Sequence, residues 1–379
     1  EVIELQGHGG MILQQQLLAR VFELGAKQAA AGEFSARAFD NDKLDLVQAE
    51  AIADAIDATS VAAAKSAIRS LTGEFSQKIQ ALLSLLIQLR LYVEAAIDFP
   101  DEEGVDFLAD DHIAKQLLQV RQQLAAVLAT AKQGQLLRDG VSVVIAGRPN
   151  AGKSSLLNRL AGQERAIVTD IAGTTRDILQ ETIVLNGLTL NLTDTAGLRQ
   201  TDDVVEKAGI ARAKQAIEQA DLLLMVYDAH QESDPLALAK ALFGCLPASN
   251  DILMIANKVD LTPPSKPLPK ALDEAVGYLP VYVSCKTGQG LEALITAICD
   301  KVGFHPPENS LIARTRHLDA LRRTQAALQE ADEQLHTYHA GELVAESLRQ
   351  AQLSLNEITG EFTADDLLGK IFGSFCIGK

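Results

Sequence analysis

Residues 147–154 read GRPNAGKS and satisfy the spacing GxxxxGK[ST]. A run of this kind lets backbone N–H groups wrap a phosphate chain. The helix that begins at its end adds positive potential at the same spot. Lys153 can reach the β- and γ-phosphates, and Ser154 can ligate Mg²⁺. An apolar run at 141–146 precedes the loop, and a helical pattern at Leu156, Leu157 and Leu160 follows it. Strand, loop and helix in that order are the context the motif needs.

Two further pieces follow in the order that phosphate chemistry requires. The run from Gly173 through Thr174, Thr175, Arg176 and Asp177 supplies a hydroxyl for the metal, in a loop that can order on a γ-phosphate. Asp194, Thr195, Ala196 and Gly197 come directly after the apolar run 188–192. Asp194 can hold Mg²⁺ through water, and the Gly197 N–H can sense the γ-phosphate.

A base pocket is legible downstream. Asn257, Lys258, Val259 and Asp260 follow the apolar run 252–256. A carboxylate at Asp260 can accept from both N1–H and the 2-amino group of guanine. Adenine offers neither donor, so this choice selects GTP over ATP. Lys258 would lie along the base and Asn257 would brace the loop. Ser284, Cys285 and Lys286 follow the run 281–283, and their backbone N–H groups can serve guanine O6. Taken alone, the Asn-Lys-Val-Asp run reads equally as a helix cap; its place in the series favours the pocket.

These pieces need a frame that sets strand ends side by side. From 140 to about 303 the chain carries apolar runs (141–146, 182–185, 188–192, 222–227, 252–256, 281–283), most of them separated by helical patterns. That grammar predicts a doubly wound α/β domain with helices on both faces. On either side the pattern is helical. Leu46, Ala49, Ile52, Ala53 and Ile56 fall at three- and four-residue steps, as do Ile68, Leu71, Phe75, Ile79, Leu82, Leu83 and Leu86. The pattern resumes at 113–131, and again after 311 with Leu318, Leu321, Leu328, Leu343, Leu348, Leu353 and Leu355. The expected organisation is an α/β domain (135–304) inserted into a helical domain whose halves (43–134 and 305–379) pack together. Residues 1–42 open with an alternating stretch that reads as a sheet edge, then a helix over about 13–24. The chain starts on Glu1 rather than Met, so it reads as a piece whose beginning is absent.

Composition narrows the function. The 379 residues carry 34 Lys and Arg against 50 Asp and Glu, a net charge of −16, which excludes a basic nucleic-acid coat. Trp is absent and aromatics are 4%, which argues against base-stacking modules built on aromatic platforms. Cys245, Cys285, Cys299 and Cys376 show no CxxC spacing and read as reduced cytosolic thiols, so a cytoplasmic location is expected. The most apolar stretch, 79–97, carries Gln80, Ser84 and Gln88 four residues apart. That polar stripe makes it an amphipathic core helix, not a membrane span.

The motifs together resemble a known family. GRPNAGKSS at 147–155, DIAGTTRD at 170–177, DTAGLR at 194–199 and the terminal FCIGK are similar to those of MnmE (TrmE), the tRNA-modification GTPase family. GEFS at 32–35, NDKLDL at 41–46, FPDEE at 99–103 and EITGEFT at 357–363 fit it as well. The resemblance implies a Ras-like GTPase domain in a helical domain, with residues 1–42 the remnant of an N-terminal folate-binding and dimerisation domain. It extends the GTP contacts to Asn150, Ala151, Gly152 and Ser155, and to the loop from Thr169 and Asp170 through Ile171, Ala172 and Gly173. It also implies wobble-uridine modification at C5, with a reduced folate as one-carbon donor and a FAD-dependent partner, MnmG (GidA). A homodimer joined through the N-terminal domains is expected. The acidity of this chain fits a partner that holds much of the tRNA.

Hydrolysis leaves two roles to fill. Leu198 stands where related switches carry a water-orienting glutamine, and leucine cannot orient water. The resemblance gives that role to Glu206; its residue type and spacing alone favour a solvated helix charge. Arg176 and Arg199 are candidates for neutralising developing charge. The resemblance assigns this instead to a K⁺ ion held by Asn150, Thr169, Ile171 and Thr174 when two α/β domains meet. It also implies folate contacts at Glu4, Lys43 and Lys379, residues that otherwise read as surface charges. Cys376 reads either as a catalytic thiol or as a buried structural one, and the last four residues fit lipidation poorly. The rival function is a regulatory or assembly GTPase that binds RNA or ribosomes and makes no product. The helical frame and the terminal FCIGK favour modification.

Overall fold

The computed structural model describes residues 3–98, 111–162, 180–194, 220–232, 234–243, 252–261, 280–305, 310–338 and 340–360. The sheet edge expected at the start does not form. Residues 3–10 carry no strand, and Ile3 and Leu5 are exposed. A strand needs a neighbour to take its N–H and C=O groups, and none is paired with this stretch among the described residues. Helix α1 (Met11–Glu23) follows and buries none of its side chains. Helices α2 (Glu33–Asp40), α3 (Leu46–Ile56) and α4 (Val61–Leu71) come next. Asp45 and Gln48 close a reciprocal capping box at the start of α3, and Ser60 caps α4.

Helices α5 (Glu74–Asp98) and α6 (Asp111–Asp139) are long. From α5, Phe75, Ile79, Leu82, Leu86, Leu89 and Val93 enter the bundle core, while Gln80, Ser84 and Gln88 face water. By length and composition this helix could cross a membrane, but its apolar stripe is buried against other helices. The core is shared with Leu117, Val120 and Leu124 of α6. It is completed from the far end of the chain by α10 (Thr315–Glu333) and α11 (Gly341–Thr359), through Leu321, Leu328, Leu348 and Leu355. Leu343, expected inside, is exposed; Val344 holds the inward position.

Between the helical halves lie β1 (Val141–Ala146), β2 (Gln180–Leu185), β3 (Leu188–Asp194), β4 (Leu222–Asp228), β5 (Ile252–Asn257) and β6 (Pro280–Tyr282). They form one sheet in the order β2-β3-β1-β4-β5-β6, with only β2 antiparallel to its neighbour. Side chains alternate between two cores. Val143, Ile145, Leu224 and Val226 face α7 (Lys153–Ala161) and α9 (Leu291–Lys301), while Val144, Met225 and Met254 face α8 (Pro235–Phe243). Burial on both faces explains why these strands read as unbroken apolar runs.

The expected boundary at 134/135 falls inside α6. Ala131 packs into the bundle core and Leu137 into the sheet core, so one helix changes cores without a linker. A buried ionic cluster stands beside this joint. Glu50 and Asp54 of α3 meet Arg314, Arg316 and His317 at the start of α10 and Arg138 at the end of α6.

Candidate nucleotide site

The sheet sets the carboxyl ends of β1, β3, β4 and β5 side by side, and in open α/β sheets ligands bind beyond such ends. The phosphate loop leaves β1 and enters α7, as its spacing predicts. Gly147 passes so close to β4 that a Cβ there would lie 2.1 Å from the Val226 carbonyl oxygen, and its φ is +150°. Only glycine permits that approach. Asn150 is exposed and left-handed, with φ +63°. Gly152 is the N-cap of α7, so the N–H groups of Lys153, Ser154 and Ser155 lie in its first turn, without helix partners of their own. Ser154 and Ser155 are exposed, and Ala151 is buried. Lys153 is buried and its Nζ donates to the Gly147 and Arg148 carbonyls at 3.0 and 2.9 Å, beneath the loop it would serve.

Asn257 ties the phosphate loop to the candidate base loops. It is 2% exposed at the end of β5. Its Nδ2 donates to the Ala151 carbonyl at 3.0 Å, and its Oδ1 accepts from the Lys258 and Cys285 N–H groups at 2.8 and 3.2 Å. One amide thus holds three candidate segments. Asp260 sits in a single 3₁₀ turn after β5 and is exposed. Its Oδ1 accepts from Ser284 Oγ at 2.6 Å, which brings the two base loops together. Ser284 Oγ also accepts from the Thr287 N–H at 3.2 Å.

Sequence reasoning missed Asp228. It ends β4 in register with Asn257, and its Oδ2 lies 2.8 Å from Lys258 Nζ. Lys258, left-handed at φ +65°, therefore stretches from the end of β5 to the end of β4. Burial would push the Asp228 carboxyl up, yet hydrogen bonds from Lys258 and the His230 N–H hold it below the ordinary carboxylate range. A lone acid closing an apolar strand beside a nucleotide motif was the available signal. Burial pushes the Cys285 thiol up, so it stays protonated near neutrality.

Asp194 ends β3 beside Ile145 of β1, next to the phosphate loop. Thr169, Asp170, Ile171, Ala172, Gly173, Thr174, Thr175, Thr195, Ala196, Gly197, Glu206, Cys376 and Lys379 lie outside the described residues. Of the expected folate contacts, Lys43 lines a cavity of about 670 Å³ together with Phe39, Gln48, Gln77, Thr359 and Gly360. Glu4 is exposed on the N-terminal stretch and does not line it.

A phosphate loop between β1 and α7, locked through Asn257 to two loops at the strand ends, defines the α/β P-loop class of GTP-binding folds. Family models carry the assignment further. One described as the MnmE helical domain matches residues 46–376, and one described as the GTP-binding protein TrmE N-terminus matches residues 1–43. The chain belongs to the MnmE (TrmE) family. Proteins named tRNA modification GTPase MnmE match it throughout. That of Psychrobacter arcticus is 72% identical over 388 residues, covering 100% of this chain and 81% of the relative. That of Pseudomonas aeruginosa is 55% identical over 382 residues, covering 100% and 83%. Among solved structures, the G domain of the T. maritima FeoB iron transporter aligns at 28% identity and a TM-score of 0.32, over 42% of this chain and 98% of that one.

Proposed function

We propose that this chain binds and hydrolyses GTP and that its hydrolysis serves tRNA modification. The observation that supports this most is the Asn257 amide, which fastens the phosphate loop to the Asp260 and Ser284–Lys286 loops and so fits a guanine nucleotide across the strand ends. The names of relatives that match the whole chain supply the tRNA part of the reading.

In this reading the first-turn N–H groups of α7 and the Lys153 ammonium take the β- and γ-phosphates. Asp260 accepts from the guanine N1–H and 2-amino group. Ser154, with Thr175, would hold Mg²⁺, whose charge offsets that of the phosphates; the exposed Ser154 hydroxyl in the first turn of α7 is a donor of the right kind. Glu206 orients the attacking water in place of the missing glutamine. Asn150, Thr169, Ile171 and Thr174 would hold K⁺ when two G domains meet; Asn150, exposed and left-handed in the phosphate loop, has an amide oxygen to give.

The wider reading is a cytoplasmic homodimer working with the FAD-dependent MnmG (GidA) on tRNA wobble uridine, with a reduced folate as one-carbon donor. Its units are 1–42, 43–134, 135–304 and 305–379. Lys43 at the cavity beside the end of α11 supports a ligand near that junction, since the chain runs on from Gly360 to Lys379. The test is mass analysis of wobble nucleosides from cells lacking the protein, complemented with the wild type or with Glu206→Ala. Unmodified uridine in the deletion and in the variant is expected. Full modification in the deletion would overturn the reading.

A further inference from the structure

Arg159 lies on α7, and its guanidinium crosses to the loop after β6. Nε donates to the Cys285 carbonyl at 3.0 Å and Nη2 to the Lys286 carbonyl at 3.1 Å. These are consecutive peptide units of the loop read above as serving guanine O6. In a trans peptide the C=O and the following N–H point in opposite directions. Fixing the Cys285 carbonyl on the arginine therefore turns the Lys286 N–H away from α7.

That N–H takes no partner among the described residues, whereas the other donors of the loop are engaged. The Ser284 N–H bonds to the Gln289 carbonyl, the Thr287 N–H to Ser284 Oγ, the Gly288 N–H to the Ser284 carbonyl, and the Cys285 N–H to Asn257 Oδ1. A cation on the carbonyl also polarises its peptide unit and strengthens the attached donor. Asn257 pins the loop from the β5 side and Arg159 from the α7 side. We propose that Arg159 is a positioning residue for base recognition: through the Cys285 and Lys286 carbonyls it aims the Lys286 N–H at the 6-oxo group of a bound guanine. This rests on the guanine-nucleotide reading of the site.

The experiment compares wild type, Arg159→Met and Arg159→Lys in the full chain, with GDP and with 6-thio-GDP, which keeps the N1–H and 2-amino donors but presents a poorer acceptor at position 6. Arg159→Met is expected to release GDP about tenfold faster. Its preference for GDP over 6-thio-GDP should shrink, while Arg159→Lys, which keeps a cationic donor, recovers part of both. Equal GDP release by wild type and Arg159→Met overturns the inference. So does an equal loss of affinity for both nucleotides, which marks general loosening instead of a lost position-6 contact. A wild type that binds GDP no better than ADP defeats the guanine reading itself, an outcome distinct from the other two.

Discussion

The Arg138 guanidinium, in the last turn of α6, lies 2.8 Å from the carboxylate of Asp54, whose side chain is only 4% exposed. The same Asp54 oxygen accepts from Arg314 Nη2 at 2.8 Å. One buried acid thus joins three helices and the two halves of the helical frame. Removing it leaves two guanidiniums facing each other beside the joint. Asp54→Ala is expected to destabilise the fold by about 3 kcal/mol, at the lower end for breaking a buried pair because Arg138 keeps some contact with water. Urea denaturation measures this. A loss under about 0.5 kcal/mol would show the cluster to be ornamental.

Neighbouring Glu50 gives the cluster a pH dependence. Burial alone would raise its carboxyl, but the close approach of the His317 ring and a two-pronged contact with Arg316 hold it well below the usual carboxylate range. Burial, with the Arg316 charge, pushes the His317 imidazole down. The Arg314 N–H donates to its Nδ1 at 3.1 Å, which leaves the proton on Nε2, 3.1 Å from Glu50 Oε2. Phe75 packs against the ring, with centroids 5.3 Å apart. Both folded-state values lie below the unfolded ones of about 6.5 and 4.3, so the unfolded chain binds more protons in each window. Stability should be full above about pH 6.5. It should fall through His317 on acidification and fall further below about pH 4.3 through Glu50. Thermal melts from pH 8 to pH 3 test the sign; His317→Phe should remove the first step and shrink the second, because it also takes away a contact that holds the Glu50 carboxyl down.

Asn257→Ala strips partners from the Ala151 carbonyl and from the Lys258 and Cys285 N–H groups together. At about 1 kcal/mol for each orphaned group, nucleotide affinity should fall by well over tenfold. Equilibrium binding of a fluorescent GDP analogue measures it. Unchanged affinity would mean that the three segments hold their places without the amide.

The hydrolytic step makes a separate demand. With K⁺ neutralising developing charge in place of an arginine, GTP turnover should drop sharply when Na⁺ replaces K⁺. Glu206→Ala should abolish turnover and leave GDP binding intact. Steady-state phosphate release in the two salts, beside binding of the variant, separates the claims; turnover indifferent to K⁺ would count against the cation site.

The strands were legible because both faces of the sheet are covered, so β1, β4 and β5 carry runs of apolar residues that no loop tolerates. The phosphate loop was legible because its glycines answer to local backbone geometry. The antiparallel turn between β2 and β3 was overlooked although Asn186-Gly187, with φ +51° and +87°, is a strong hairpin signal. The cluster of Glu50, Asp54, Arg138 and Arg314 left no such mark. Its members stand far apart in the chain, and periodicity says nothing about which charges meet when helices pack. Asp228 escaped for the same reason: its partner Lys258 lies on a different strand end.

Helix α6 runs 29 residues from the bundle core to Asp139, and Gly140 alone separates it from β1. At 1.5 Å per residue it is a lever about 44 Å long, clamped at its short end by the strand that carries the phosphate loop. A swing of only about 5° at that fulcrum would carry the distant tip by roughly 4 Å, so a small adjustment around the nucleotide would arrive magnified at the Asp111 end of the helix.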